Sequence, residues 1–199
     1  MSAGLLDSFG HALRGLVEVT SRERNMKLHV LAGIAVGLVG GELALPHAGR
    51  LALLLAVALV LSAEMLNSAL ESLVDLPTKE FREEARRVKD AAAGAVLVLA
   101  IGSVLLAAAV MAGSWEMVEA SLPRLRGHAA AVVAVLLLAA GQLAPGKRHP
   151  VLDLLGALAG VAILVVLATT TRSTPFTLTA LALFALAVAA ARHRRGTAA

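Results

Sequence analysis

The stretch "LALLLAVALVLSAEMLNSALESLVD", residues 51–75, is apolar up to Leu61, yet its second half carries Glu64, Asn67, Glu71 and Asp75. A helix needs roughly 20 mostly apolar residues to cross a bilayer, and this run qualifies. Ionisable groups at membrane depth are expensive, and they usually face a partner, a cavity or chemistry. At about 100° per residue the four polar side chains fall on a stripe about 80° wide. Leu66, Leu70 and Leu73 lie elsewhere on the wheel. With a rise of about 1.5 Å per residue the stripe runs about 16 Å, from inside the hydrocarbon to the interface, where Pro77 stops the helix. Lys89, Arg86 and Arg87 are near enough in sequence to neutralise these acids. Ion pairing alone, however, does not require an Asn and three carboxylates on one stripe. The pattern reads as the wall of a polar cleft opening to the cytoplasm.

Composition places the rest of the chain in the membrane too. Of 199 residues, 58% are hydrophobic and 16% charged, with a mean hydropathy of +0.81. A soluble domain would be nearer a quarter charged. The absence of cysteine excludes disulfides, thiolate metal sites and cysteine nucleophiles. Aromatics make up 3%, and the basic residues lie between apolar runs rather than on one face, so the net charge of +4 reflects topology and not a nucleic-acid partner. Six runs read as spans: 28–45, 51–74, 91–113, 128–144, 151–170 and 174–191. With a cytoplasmic N-terminus, fourteen of the 18 Lys and Arg residues fall inside, leaving Arg50, Arg124, Arg126 and Arg172 outside. The positive-inside rule then predicts a multi-pass membrane protein of six spans with both termini cytoplasmic.

The first twenty residues lack the basic start and long apolar core of a signal peptide and carry Asp7. Leu5, Phe9, Leu13 and Leu16 recur at helical spacing, with Asp7, His11, Arg14 and Glu18 elsewhere. This predicts an amphipathic helix on the cytoplasmic face; packing on the end of the bundle would give the same pattern.

Two further segments border the same mouth. "SRERNMKLH", Ser21–His29, puts Glu23 just before the first span, and "RRVKDAAAGAV", Arg86–Val96, puts Lys89 and Asp90 at the start of the third. Carboxylates and a lysine at a water-accessible membrane mouth suit a divalent cation with phosphate, since Mg2+ takes one or two carboxylates plus phosphate oxygens and a lysine neutralises transferring phosphate. The chain has no Walker A loop and no protein-kinase signature. The chemistry therefore reads as phosphoryl transfer at a membrane surface, with an ion-coupled membrane transporter as the alternative.

"EMLNSALESLVD" followed by "VKDAAAGAVL" resembles the signature of the prokaryotic diacylglycerol kinase and undecaprenol kinase family of small integral-membrane lipid kinases. The pattern Glu-x-x-Asn-[Ser/Thr]-Ala-[Ile/Leu]-Glu-x-x-Val-Asp, then Lys-Asp and small residues, is met at Glu64, Asn67, Ser68, Ala69, Leu70, Glu71, Val74, Asp75, Lys89 and Asp90. With "ERNMKLH" the resemblance covers about residues 5–115. It implies a 1–115 kinase domain, all-α, built from a surface helix and three transmembrane helices. It also implies a homotrimer with active sites shared between protomers, acting in lipid metabolism and phospholipid biosynthesis with ATP as phosphoryl donor and Mg2+ as cofactor.

Carried over residue by residue, the resemblance makes Glu64 the general base toward a lipid hydroxyl and Glu23 and Glu71 the metal ligands. Glu80, Lys89 and Asp90 become nucleotide contacts, with Lys89 also serving catalysis, and Asn67 and Asp75 hold the site together. His11 falls where family members touch adenine. Arg82 stands at a loop position that is often His in relatives. The physical reading agrees, because desolvation disfavours a buried carboxylate's charged form and makes Glu64 a better base for an alcohol than an exposed acid. "ERNMKLH" and "AAAGAV" look more like the undecaprenol branch than the diacylglycerol branch, so undecaprenol is the preferred lipid.

Residues 116–199 fall outside the resemblance and read as about three additional transmembrane helices of structural role. "HPVLDLLGALAG", His149–Gly160, is faintly similar to the last motif of membrane lipid phosphatases, through His149 and Asp153, and "RGH" at 126–128 to another of their motifs; the upstream basic motif is missing. A bifunctional kinase with a degenerate phosphatase-like C-terminus is the further alternative. "RHRR", Arg192–Arg195, reads as a positive-inside anchor. A chain truncated after Ser114 is expected to keep the whole kinase unit.

Overall fold

The computed structural model describes residues 4–76, 82–146 and 149–197, and all regular structure among them is helical. The order is α1 (Leu5–Arg22), α2 (Arg24–Glu42), α3 (His47–Val74), α4 (Arg82–Gly113), α5 (Trp115–Glu119), α6 (Leu122–Leu143), α7 (Pro150–Thr170) and α8 (Thr174–Gly196). Among the described residues, α3, α4 from Glu83, α6, α7 and α8 are long and apolar enough to cross a membrane. The protein is an all-α, multi-pass integral membrane protein.

The sixth expected span, 28–45, corresponds to α2, which is not one of these five helices. It has 19 residues, with Asn25, Lys27 and His29 in its first turns and Glu42 at its end. Its apolar part is correspondingly short. α3, α4 and α6 start before their expected bounds and α8 runs past its own, in each case through residues that include arginines, while α7 agrees to within one residue. α4 begins at Arg82 rather than 91, with Glu83 and Glu84 in its first turn, where acids complement the helix dipole.

The chain divides into two compact units, the first made of the segments up to Leu43 and from Leu122 onward, the second of Ala44–Ser121. In the first unit α2 packs against α8, α6 and α1, and α7 packs on α6 and α8. Residues from both sides of position 115 thus build it. α2 and α8 approach so closely that a Cβ added at Gly37 would lie 2.8 Å from the Phe176 carbonyl oxygen, and one at Gly40 2.6 Å from the Phe176 ring. Small residues let membrane helices meet at backbone distance, where packing and not water exclusion holds them. Phe184, fully buried, fills the space left by Gly160 in the same way. The Gly41 carbonyl, orphaned at the end of α2, accepts the Arg172 N–H at 2.9 Å and the Thr171 hydroxyl at 3.1 Å.

At that same end of α2, the buried Glu42 carboxylate accepts from Arg124 Nε at 2.7 Å and lies 2.9 Å from His128 Nδ1. The histidine of "RGH" is therefore part of a buried polar cluster.

The second unit is an antiparallel pair. Gly49 near the start of α3 lies against Val110 near the end of α4, and Asp75 at the far end of α3 pairs with Lys89 in α4. The Ala44 N–H donates to the Ser121 hydroxyl at 3.0 Å, tying the two ends of the unit together.

Candidate active site

On α3 the buried positions are Leu53, Ala56, Val60, Glu64, Asn67 and Ser68. They follow one another at helical spacing, so a single face turns from apolar to polar as it approaches the C-terminal end of α3. Glu64 is 2% exposed and Asn67 6%. Glu71, one turn on from Asn67, is half-buried, and the Asn67 side-chain amide donates to its carboxylate at 3.0 Å. Asp75, exposed, follows the last turn as its C-cap. The stripe thus descends in burial from Glu64 to Asp75, with Glu71 held by Asn67 and Asp75 by the adjacent helix.

The second half of the signature is brought to the first by an ion pair: the Lys89 ammonium donates to the Asp75 carboxylate. This pair is 14 residues apart in sequence and joins α3 to α4. Asp90, beside Lys89 in sequence, accepts from Arg86 at 2.8 Å, and Arg86 also pairs with Glu83 at 2.7 Å. Arg87 reaches the same Glu83 at 3.4 Å. The arginines considered as neutralising partners for the stripe therefore serve Glu83 and Asp90, while Lys89 serves Asp75. Arg86 and Glu83 are a polar network that sequence reading missed, although their i, i+3 and i, i+4 spacing to each other and to Asp90 and Arg87 could have shown it.

Glu23 and His11 belong to the first unit. Glu23 is a single extended residue, φ −77° and ψ 128°, that ends α1 and starts α2, and it is half-buried. His11 is exposed on α1. The apolar face of α1 is largely uncovered along its first turns, with Leu5 92% and Phe9 70% exposed, as expected of a helix that lies on a lipid surface. Its C-terminal turns pack on α8 and α2. Glu80 lies outside the described residues.

Among the described residues no three His, Asp or Glu side chains converge. Mg2+ does not ask for that, because it is commonly bound by one or two carboxylates and completes its shell with water and phosphate oxygens. A half-buried carboxylate held in one orientation by Asn67 fits such a ligand, so the donor set suits Mg2+. Two polar atoms beside it, Asn67 Oδ1 and Ser68 Oγ, are buried and have no hydrogen-bond partner among the described residues. Buried polar groups are nearly always satisfied, so these two atoms are open to a partner beyond the described residues, such as water or a bound hydroxyl.

The phosphatase-like motif has a different setting. His149 is exposed and serves as the N-cap residue of α7, its carbonyl accepting from the Leu152 N–H at 3.0 Å. Asp153 is buried and bound to Arg195 of α8. Its carbonyl accepts from the Gln142 side chain at 2.8 Å. This aspartate joins helices.

A model of the prokaryotic diacylglycerol kinase family matches residues 10–111. The chain is 38% identical over 107 residues to a diacylglycerol kinase from Synechocystis, an alignment covering 53% of this chain and 61% of that protein, less than two thirds of its length. It is 39% identical over 99 residues to the undecaprenol kinase of Bacillus subtilis, covering 50% of this chain and 80% of that protein. No solved structure matches the chain. Every residue assigned a role above from His11 to Asp90 lies within the matched segment. With half its length matched, and the Glu64–Asp75 stripe joined to Lys89 across two packed helices, the chain belongs to the prokaryotic diacylglycerol kinase family.

Proposed function

We propose that this chain is a lipid kinase that transfers the γ-phosphoryl group of ATP to the hydroxyl of a membrane lipid, with residues 1–115 as the kinase part. One observation carries the reading. A glutamate buried at membrane depth shares a face with Asn67 and with a shallower glutamate oriented by it. The lipid hydroxyl reaches Glu64 from the bilayer and gives it the proton. The hydroxyl oxygen then bonds to the γ-phosphorus as the bond to the bridging oxygen of ADP breaks. Asn67 Oδ1 and Ser68 Oγ would find their missing partners in such a hydroxyl or its attendant water.

Glu71 and Glu23 are the residues that would serve as Mg2+ ligands, and the ion would supply positive charge to offset the negative charge of the triphosphate. Lys89, anchored by Asp75, balances charge on the transferring group. Asp90 and Glu80 contact the nucleotide and His11 its adenine. The rest of the catalysis is positioning. In this reading the enzyme is a homotrimer of the bacterial cytoplasmic membrane with both termini in the cytoplasm and α2 crossing as the sixth span.

Undecaprenol is the preferred acceptor and diacylglycerol the next. Support comes from the "ERNMKLH" and "AAAGAV" segments, which look more like the undecaprenol branch. The test is transfer of labelled γ-phosphate by purified protein in lipid to a panel of lipid alcohols with Mg2+. Undecaprenol should be phosphorylated fastest. Transfer to none of them overturns the kinase reading, and equal rates overturn the preference.

A further inference from the structure

The tail "RHRR" does not simply hang in the cytoplasm as a charge anchor. Arg194, half-buried at the tip of α8, reaches two other helices. One guanidinium nitrogen approaches the Ser21 carbonyl at 3.5 Å. The other binds the Gln142 carbonyl and approaches that of Ala144 at 3.5 Å. The C-terminal carbonyls of a helix have no partner within it and carry the negative end of its dipole, where a cation is favourable. Arg194 therefore clamps the ends of α1 and α6 together. Neighbouring Arg195 anchors the same tip to α7 through Asp153.

The α1 end so held is the corner that carries Glu23. That corner is one residue long, so the direction of the Glu23 carboxylate follows the angle between α1 and α2. Within it, the Arg22 carbonyl accepts from the Lys27 ammonium at 3.3 Å. Burial, and then the charge of Arg194, push the Lys27 pKa down, while Glu23 pulls it up. The three groups therefore share one electrostatic neighbourhood. Sequence gives no hint of this, because Arg194 stands 173 residues from Ser21 and outside the matched segment.

We infer that Arg194 is a positioning residue for Glu23, through which the appended helices set the metal-nucleotide step of the kinase. The inference rests on the proposed role of Glu23 as a metal ligand. Groups that orient a metal ligand are commonly worth 10- to 100-fold in metal affinity or activity when removed.

The test compares Arg194→Gln, Arg194→Lys and the control Arg192→Gln, which removes the same charge from the exposed side of the tail. Turnover with the lipid alcohol is measured against Mg-ATP and free Mg2+, and a spin label at Leu13→Cys reads the mobility of α1 in each background. Arg194→Gln should raise the KM for Mg-ATP about tenfold with kcat little changed, shift the Mg2+ requirement upward and loosen the label. Arg194→Lys should fall between it and wild type, and Arg192→Gln should match wild type. Equal KM values for folded Arg194→Gln and Arg192→Gln, or a fall in kcat alone, overturn the inference. If Arg194→Gln does not fold, Arg194→Lys carries the comparison, and a wild-type KM with an unmoved label overturns it. A labelled protein without lipid kinase activity in any background fails the kinase reading itself; the label then judges the clamp, and an unmoved label in Arg194→Gln refutes that separately.

Discussion

Gly37→Ala adds one methyl group where α2 and α8 are closest. Its Cβ would stand 2.8 Å from the Phe176 carbonyl oxygen, 2.9 Å from the Ala180 Cβ and 3.0 Å from the Ala180 nitrogen. None of these atoms can rotate away, so the helices must separate, and the packing beneath the fully buried Phe176 opens with them. Overpacking of this kind costs about 1–3 kcal/mol. The change also returns helix propensity of up to about 1 kcal/mol, the usual difference between Gly and Ala in a helix interior. The net loss is therefore up to about 2 kcal/mol, which for a chain of this length lowers Tm by up to about 8 °C, and relative to Gly102→Ala the full overpacking cost shows. Gly102→Ala in α4 isolates the propensity gain, because nothing lies within 4 Å of the added atom; its Tm should stay level or rise. Thermal unfolding of both variants in the same detergent checks the pair. A Gly37→Ala protein as stable as Gly102→Ala would mean that α8 does not pack on α2 at backbone distance, and the account of the first unit would fail.

Truncation after Ser114 should cost more than the sequence alone suggests. It removes α6 and α8, the helices against which α2 buries Val30 and Ile34, and a thermal melt of the fragment should show a lost or strongly lowered transition. Lys89→Gln breaks an exposed ion pair with Asp75, so stability should change by no more than about 1 kcal/mol. Phosphoryl transfer should nonetheless fall about 10²-fold, the order seen when a group that stabilises developing charge is removed; activity and melting of one preparation check both halves.

The α3 stripe was legible because helical periodicity and residue type pointed the same way. Polar groups recurring on one face of an apolar helix must turn that face away from lipid, and the burial of Glu64 and Asn67 follows that pattern. The membrane class was legible from composition for the same reason. Hydropathy could not see that α4 starts at Arg82, since its first turns are charged and held by pairs such as Arg86–Asp90 rather than by apolar burial. α2 stands below the other five in hydropathy because Asn25, Lys27 and His29 in its first turns and Glu42 at its end leave it a short apolar stretch. The cluster of Glu42 with Arg124 and His128 joins residues more than 80 positions apart, and the Arg194 clamp spans more still. Such contacts come from how the helices assemble, which no local pattern encodes.

The central claim is that Glu64 is the base and Glu71 a metal ligand on one helix face. The most direct test measures Mg-ATP binding and single-turnover phosphoryl transfer for Glu64→Gln and Glu71→Gln side by side. Glu64→Gln keeps size and hydrogen-bonding capacity, so binding should be unchanged while transfer falls by roughly 10²–10⁴, the usual worth of general-base catalysis. Glu71→Gln should weaken Mg-ATP binding as well as transfer, with partial rescue by excess Mg2+ or by Mn2+. Loss of nucleotide binding in Glu64→Gln together with its retention in Glu71→Gln would contradict the assignment.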